Sequence, residues 1–250
     1  EIQRRINRNI LAKFQLPAGV YGGVPGGSPR KNAAAHAHQP CVVNMDVKEF
    51  FPHVRQYMVY RMFKHELGFG CDVASLLTRL TTYRSYLPQG APTSTPIANL
   101  LLAAPVDAPV AIEAARSGLR YSRFVDDIAI SGKNPRRLIN FIAKVLSRRR
   151  LQIHRFRQYS GSKLNITGSG RAQQVTGLIV NAPRGLSVPG PRREKIRTDI
   201  WVLRKTSRQD LSRAVNSIRG KISYVAQFNW GSAKRLTAYL EATLVGRAAT

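Results

Sequence analysis

Two short stretches decide the fold of this chain: residues 42–47, VVNMDV, and residues 124–130, FVDDIAI. Each stretch places carboxylates on or beside an apolar run rich in β-branched residues, and such runs favour strands. A strand that carries an acid where a hydrophobic residue would fit indicates that the acid binds something positive. Asp46, Asp126 and Asp127 are therefore the first candidates for a functional site.

The charge of the chain limits the class of its partner. The 250 residues include 40 Lys and Arg against 13 Asp and Glu, which gives a net charge of +27. A chain this basic usually binds a polyanion, and nucleic acid is the favoured one. With 43% hydrophobic residues the sequence can also bury a sizeable core, in one large or two modest domains.

Other features bear on where the protein works. No apolar run approaches the roughly 18 residues that a membrane-spanning helix needs, and the first residues lack the apolar core of a signal peptide. Cys41 and Cys71 form neither a metal-binding spacing nor a disulfide framework, which is typical of a reducing compartment. We therefore expect a cytoplasmic protein without a membrane partner.

Hydrophobic periodicity and turn residues predict a mixed α+β fold. Residues 17–30 are rich in glycine and proline and indicate an irregular loop, and Pro105 and Pro109 should end or kink the helix in which they lie. The composition becomes basic and helical after residue 190, so we place a domain boundary between 1–190 and 191–250. The predicted elements are helices over residues 2–14, 54–67, 72–83 and 134–150, strands over 41–47 and 175–180, and a hairpin over 119–132.

The acids suit metal-assisted phosphoryl transfer. Such a reaction uses positioned Mg²⁺ ions, which prefer oxygen ligands and can be bridged by carboxylates from neighbouring strands. Asp46 and Asp126 are the expected bridging pair, whereas strand alternation would point Asp127 to the other face unless the turn changes its direction. An ordinary turn is the alternative for Asp126 and Asp127, because Asp is common in turns.

A third stretch is LPQGAPTSTP at residues 87–96. Gly90 allows the backbone to approach a flat ligand closely, and Gln89 and Ser94 offer hydrogen bonds. The alternative is an ordinary loop before a helix.

Together these stretches resemble a known family. Residues 46–52, DVKEFFP, residues 88–96, PQGAPTSTP, and residues 124–127, FVDD, resemble three successive palm motifs of reverse transcriptases in order and spacing. Residues 32–36, NAAAH, resemble the NAxxH element of retron reverse transcriptases, and residues 175–181, VTGLIVN, resemble their VTG element. The resemblance covers roughly residues 5–230.

The resemblance implies a right-hand polymerase fold. Residues 1–190 would form part of the fingers and a palm of antiparallel strands backed by helices, and residues 191–250 a helical thumb. In this family the palm aspartates bind two Mg²⁺ ions, which assigns that role to Asp46, Asp126 and Asp127. The same resemblance assigns Val47 to the metal ligands and to the residues that bind the nucleotide.

The resemblance also assigns residues around the nucleotide. Phe51 would exclude ribonucleotides, because a ring beneath the sugar leaves no room for a 2′-hydroxyl; core packing is the alternative and fits Phe50 better. Gln89 and Gly90 match the segment that lies against the nascent base pair. Lys163 matches a catalytic lysine near the triphosphate, with Arg157 as a competitor and a solvated surface lysine as the alternative.

The resemblance also assigns residues that would contact nucleic acid. Asn32 and His36 belong to an element that is thought to contact nucleic acid in retron enzymes. Arg219 and Lys221 of the expected thumb could line the minor groove of the duplex, and a solvated basic face is the alternative.

The implied activity is RNA-directed DNA synthesis from dNTPs on an RNA template. For the retron branch the template is a dedicated structured RNA, the product is a covalently linked RNA–DNA hybrid, and an accessory effector protein acts with the enzyme in anti-phage defence. The alternatives are another bacterial reverse transcriptase (defence-associated, group II intron or Cas-linked), a catalytically inactive scaffold that binds RNA, and a metal-dependent nuclease.

The sequence departs from the family pattern at three places. Phe124 stands where the third motif more often has Tyr, and Gly27 precedes Ser28 where retron relatives commonly have Arg. The basic finger strand that grips the triphosphate is not visible, so we expect residues upstream of Glu1 to complete the fingers.

Overall fold

The computed structural model describes residues 1–154 and 164–248. Its main sheet has four antiparallel strands in the order β2-β3-β1-β4, so the strand that ends in Asp46 lies at the centre. The strands are β1 (Cys41–Asp46), β2 (Arg120–Phe124), β3 (Asp127–Gly132), β4 (Asn165–Gly168), β5 (Gln174–Val175) and β6 (Leu178–Ile179).

Helices account for most of the remaining chain. The α-helices are α1 (Ile2–Asn9), α2 (Pro29–Ala34), α3 (Phe50–His53), α4 (Gln56–Arg61), α5 (Cys71–Thr81), α6 (Ser94–Leu102), α7 (Ala108–Arg116), α8 (Ile139–Ser147), α9 (Gly190–Val202), α10 (Arg208–Ala226) and α11 (Trp230–Ala248). Short 3₁₀ segments are Leu11–Lys13, Pro135–Leu138 and Leu203–Lys205, and π segments are Met62–Glu66 and Ala103–Asp107.

The core of the first part lies against one face of the sheet. Val43 and Met45 of β1 and Ile128 and Ile130 of β3 are at most 1% exposed and join one hydrophobic cluster with Ile97 of α6. Full burial of such a side chain stabilises the fold by roughly 1.5–3 kcal/mol, so this face fixes the register of the strands. The register in turn fixes where the carboxylates at the strand ends lie.

Among the described residues, the helical stretch Ser94–Arg116 has an 18-residue window with a mean hydropathy of 1.4, which is enough by length and composition to cross a membrane. However, 61% of its apolar window is buried inside the protein, as in a core helix. The prediction that Pro105 and Pro109 end or kink this helix is only partly right. The chain continues through the π segment around Pro105, which lacks a backbone N–H, and Pro109 lies in the first turn of α7.

The chain divides into two compact units, residues 1–176 and 177–250. In the second unit α9, α10 and α11 pack on one another through buried side chains such as Ile200, Ile222 and Leu240. The predicted single strand over residues 175–180 is interrupted, because Thr176 and Gly177 have positive φ values of 45° and 74°. The division at residue 190 into palm and thumb stays a prediction.

Candidate active site

The FVDD stretch forms the tip of the predicted hairpin. Phe124 pairs with Asp127, which leaves Val125 and Asp126 as a two-residue turn between β2 and β3. Val125 has a φ of 62° and Asp126 does not have a positive φ, the pattern of a type II′ turn that favours glycine at its first central position. A β-branched residue in this conformation is strained by roughly 1–3 kcal/mol.

The three predicted acids converge. Asp46 lies directly opposite Asp127 in the β1–β3 register, and Asp126 lies in the turn just before Asp127. One carboxylate oxygen from each residue lies within 4.8 Å of those from the other two. Asp46 is 5% exposed, Asp126 is half-buried and Asp127 is exposed, so the group opens to solvent on one side.

This arrangement corrects the lower rank that strand alternation gave to Asp127. Residues directly opposite each other in an antiparallel pair project their side chains to the same face, so Asp127 shares the face of Asp46. Hard divalent cations prefer this donor set of oxygens, which fits a divalent metal site.

Backbone hydrogen bonds fix these acids relative to each other. The N–H of Val47 donates to the carbonyl of Asp126 at 3.1 Å, and the N–H of His154 donates to the carbonyl of Asp46 at 2.8 Å. Val47 is 1% exposed and its side chain has no polar atom, so only its main-chain atoms could contribute to the site. The His154 Nδ1 atom lies 3.8 Å from Asp46 Oδ2, a neighbour that the sequence did not reveal.

A fully buried arginine lies behind the turn. Arg123 donates through Nε and Nη2 to the two carboxylate oxygens of Asp107, at 2.8 and 2.6 Å, and both side chains are 0% exposed. Its Nη1 atom donates to Asn99 Oδ1 at 2.9 Å and to the carbonyl of Val125 at 2.7 Å. Burial would lower the pKa of Arg123, but its hydrogen bonds and ion pair with Asp107 outweigh burial and raise it. Tyr121 donates its hydroxyl to Asp107 Oδ1 at 2.5 Å, and burial, followed by the charge of Asp107, raises the pKa of Tyr121 well above its usual value.

The glycine-rich loop covers the same turn. Asn99 Nδ2 donates to the carbonyl of Gly22 at 2.8 Å, and the N–H of Tyr21 donates to the carbonyl of Arg123 at 2.9 Å. A Cβ atom on Gly22 would lie 2.4 Å from the backbone nitrogen of Val125, a distance that requires glycine. The loop was predicted to be irregular, and its packing against the hairpin was not predicted.

Comparison with known proteins identifies the family. The chain is 27% identical over 242 residues to the retron Ec86 reverse transcriptase of Escherichia coli, 30% over 253 residues to the retron Mx65 reverse transcriptase of Myxococcus xanthus, and 31% over 179 residues to the retron Se72 reverse transcriptase of Salmonella heidelberg. These matches cover 96%, 94% and 67% of the chain. These matches over most of the chain support a retron-type reverse transcriptase. The chain spans 72% of the length of the first relative, but only 57% and 47% of the other two.

A solved structure shows the same fold for this reverse transcriptase. A telomerase from Candida albicans, in complex with a fragment of telomeric RNA, superposes with a TM-score of 0.55 at 11% identity over 98% of the chain and 56% of the telomerase. The prediction of a right-hand polymerase fold is therefore confirmed. No protein-family model matches the chain. Reverse transcriptases are RNA-directed DNA polymerases, so the matched relatives together with the fold support that enzyme class.

The residues assigned to the nucleotide lie in accessible places. Phe50 is 2% exposed and belongs to the core, whereas Phe51 is half-buried with its ring centroid 5.5 Å from that of Phe50. Gln89 and Gly90 are exposed, and Gly90 has a φ of 81° that favours glycine. The Ser94 hydroxyl donates to the carbonyl of residue 88 at 2.5 Å and closes this loop at the start of α6.

The NAxxH element of the reverse transcriptase has buried side chains at Asn32 and His36. His36 is 0% exposed, and its Nδ1 and Nε2 atoms each lie 2.7 Å from a serine hydroxyl, that of Ser131 on β3 and that of Ser122 on β2. Burial and then the charge of Arg120 lower the pKa of His36 to about 4. Asn32 is 1% exposed. The His36 side chain therefore bridges the two strands of the hairpin from inside, whereas Asn32 Oδ1 is buried without a hydrogen-bond partner among the described residues. Contact of these two residues with nucleic acid stays a prediction.

The remaining assignments are distributed over the chain. Lys163 and its competitor Arg157 lie outside the described residues. Arg219 is exposed on α10, and Lys221 donates to Asp199 Oδ2 at 2.8 Å, so the two predicted thumb contacts have different surroundings.

Sequence reasoning missed the group formed by Arg123, Asp107 and Asn99. A signal was present, since Arg123 interrupts the strand pattern that leads into Asp126. Asp107 is likewise an isolated acid in an apolar helical run. Two lone opposite charges in predicted core segments indicate a buried pair, because neither is tolerated there alone.

Proposed function

We propose that this reverse transcriptase copies a structured RNA into DNA by nucleotidyl transfer at Asp46, Asp126 and Asp127. The observation that carries the proposal is the convergence of these carboxylates within 4.8 Å at the end of a central strand. These carboxylates would hold two Mg²⁺ ions, which when bound would supply charge neutralisation for the phosphates and activation of the attacking hydroxyl.

The other residues would bind and orient the dNTP. Phe51 would lie beneath the deoxyribose and exclude a 2′-hydroxyl by contact, and its half-buried position supports this role. Gln89 and Gly90 would lie against the base pair, since both are exposed in a closed loop. The main chain of Val47 would complete the site beside Asp46, and Lys163 would act near the leaving pyrophosphate.

The retron assignment extends the proposal to the product and the partners. Priming from a 2′-hydroxyl of the RNA template would give a covalently linked RNA–DNA product. The enzyme would work in the cytoplasm with an accessory effector protein in anti-phage defence. The names of three relatives support the retron assignment on which these steps depend, and the net charge of +27 supports binding of nucleic acid.

The helical part at residues 191–250 would act as the thumb. Basic side chains such as Arg219 would contact phosphates of the RNA–DNA hybrid, and the exposure of Arg219 supports this assignment. Lys221 would contact the hybrid only in competition with Asp199.

The decisive experiment compares the protein with its Asp126→Asn variant in extension of a primed RNA template with dNTPs and Mg²⁺. Asp126→Asn removes one metal-binding charge without changing the side-chain size, so extension should fall at least about 100-fold while RNA affinity survives. Asp72→Asn, an exposed acid in the first turn of α5, is the matched control and should keep full activity.

Each alternative has its own outcome. Comparable synthesis by Asp126→Asn would remove the metal assignment. RNA binding by the unaltered protein without extension would indicate the inactive scaffold, and Mg²⁺-dependent cleavage of the template without extension would indicate a nuclease.

A further inference from the structure

Among the described residues, Arg123 has the largest fully buried side chain, and its burial calls for a reason beyond stability. Taking a charged pair out of water is costly, and replacing such a pair by apolar residues of similar volume is often neutral or stabilising. Asp107 balances the charge of Arg123, yet an apolar pair would fill the same space. The arrangement of the hydrogen bonds indicates what the arginine contributes instead.

The guanidinium group joins a rigid helix to the catalytic turn. Two of its donors fork onto the carboxylate of Asp107, at the end of the π segment Ala103–Asp107, and a third nitrogen reaches Asn99 on α6. That same nitrogen donates to the carbonyl of Val125 at 2.7 Å. This carbonyl belongs to the peptide group that links Val125 to Asp126, so the contact fixes the plane from which Asp126 projects.

The turn needs this support because Val125 adopts a φ of 62°. A strained residue keeps its conformation only where its surroundings over-determine it. Here the backbone of Gly22 packs against the nitrogen of Val125 on one side, and Arg123 binds its carbonyl. Without the arginine the turn would relax and move the carboxylate of Asp126 relative to that of Asp46.

We propose that Arg123, held by Asp107, is a positioning residue that locks the strained Val125–Asp126 turn and sets the spacing of the catalytic carboxylates. The inference rests on the proposed polymerase function, because it assigns a cause to the geometry of that same site. Arg123 acts through the turn and touches no substrate.

The first test is Arg123→Lys, which keeps the charge but cannot both fork onto Asp107 and reach Val125. A misplaced catalytic group lowers the rate of the chemical step by about 100-fold, so kcat should fall by that order while the KM for dNTP stays within about threefold. The Mg²⁺ concentration for half-maximal rate should rise several-fold. Arg120→Lys, on the same strand at an exposed position, should change neither kcat nor the Mg²⁺ concentration for half-maximal rate.

The second test is rescue by glycine at the turn. Val125→Gly accepts a positive φ without strain, so the turn no longer depends on the arginine. In the Arg123→Lys background this change should restore kcat at least tenfold and return the Mg²⁺ dependence toward that of the unaltered protein. A merely structural role for Arg123 predicts no such rescue of the Mg²⁺ dependence.

A third variant keeps the test valid if Arg123→Lys unfolds. Arg123→Met combined with Asp107→Asn removes both buried charges and lacks the donor to the Val125 carbonyl. The amide oxygen of the new asparagine can still accept from the Tyr121 hydroxyl. Circular dichroism and urea unfolding identify the variants that fold. A folded variant of either kind with unchanged kcat and Mg²⁺ dependence would overturn the inference. Absence of extension by the unaltered protein would instead overturn the proposed function, so the two failures are distinguishable.

Discussion

Adjacent residues in this protein carry different tasks, as Phe50 and Phe51 show. Phe50 is 2% exposed and holds the short helix α3 in the core, whereas Phe51 is half-buried beside it. The two rings follow Asp46 by only a few residues, on the short helix α3, whose first residue Phe50 is buried in the core. A bulky ring on such a fixed segment can reject a sugar by contact alone, because it has little freedom to move aside.

Truncation of Phe51 tests this steric role. Phe51→Ala opens space beneath the sugar, so the preference for dNTPs over ribonucleotides should fall about tenfold or more, with DNA synthesis retained. The measurement is the ratio of kcat/KM for dGTP and GTP on one template. Phe50→Leu is the control, which should lower stability by about 1 kcal/mol without changing the ratio. Unchanged selectivity in Phe51→Ala would place the gate elsewhere.

At the scale of secondary-structure elements, the β2–β3 hairpin is held at both ends. Arg123 binds the turn that carries Asp126, and His36 of the segment after α2 bridges the two strands through Ser122 and Ser131. Both contacts come from buried polar groups that are fully paired, and such networks rigidify the elements that they join. The hairpin therefore presents its carboxylates from a fixed frame.

The bridge from His36 should make stability depend on pH. Because the folded pKa of His36 is about 4 and the unfolded value is near 6.5, the unfolded state binds the proton first as pH falls. Stability contributed by neutral His36 is fully present above pH 6.5, and on the order of 2 kcal/mol of it should be lost by pH 5. Arg120 is the charged neighbour that adds to this effect.

Urea unfolding at pH 7.5 and pH 5 measures that loss. His36→Gln cannot titrate, so the difference between the two pH values should shrink by about the same 2 kcal/mol relative to the unaltered protein. His65→Gln, an exposed histidine in the π segment Met62–Glu66, should leave the difference unchanged. An equal pH dependence in His36→Gln and the unaltered protein would mean that other groups dominate.

These elements also show what a sequence can and cannot predict. The hairpin and the convergence of Asp46 with Asp126 follow from local periodicity and from one long-range pairing that the apolar faces impose. The environments of His36, Arg123 and Asp127 do not follow, because each depends on tertiary register. His36 was assigned to nucleic-acid contact and lies inside, and Asp127 was ranked below Asp126 as a ligand and shares the face of Asp46.

At the scale of the whole molecule, the net charge governs affinity for nucleic acid, whereas the fold brings together the acids proposed for catalysis. The acids are few, and three of the 13 meet at one site, whereas 40 basic residues supply the attraction for a polyanion. Neutralising phosphates with these residues releases counterions, so affinity for nucleic acid should fall steeply with salt. Counterion release contributes to affinity and not to the chemical step. For this reason Asp126→Asn should keep RNA affinity while losing extension.

Salt dependence also separates the two residues proposed for the thumb, Arg219 and Lys221. We expect the plot of log affinity against log salt concentration for an RNA–DNA hybrid, measured by fluorescence anisotropy from 50 to 200 mM, to lose about one unit of slope in Arg219→Ala. Lys221→Ala should lose less, because Asp199 already binds the ammonium group at 2.8 Å. Asp199→Asn frees Lys221 and should steepen the slope if the lysine reaches a phosphate. Equal losses in Arg219→Ala and Lys221→Ala would mean that the hybrid displaces Asp199 on binding, and no loss in either would place the duplex on another face of these helices.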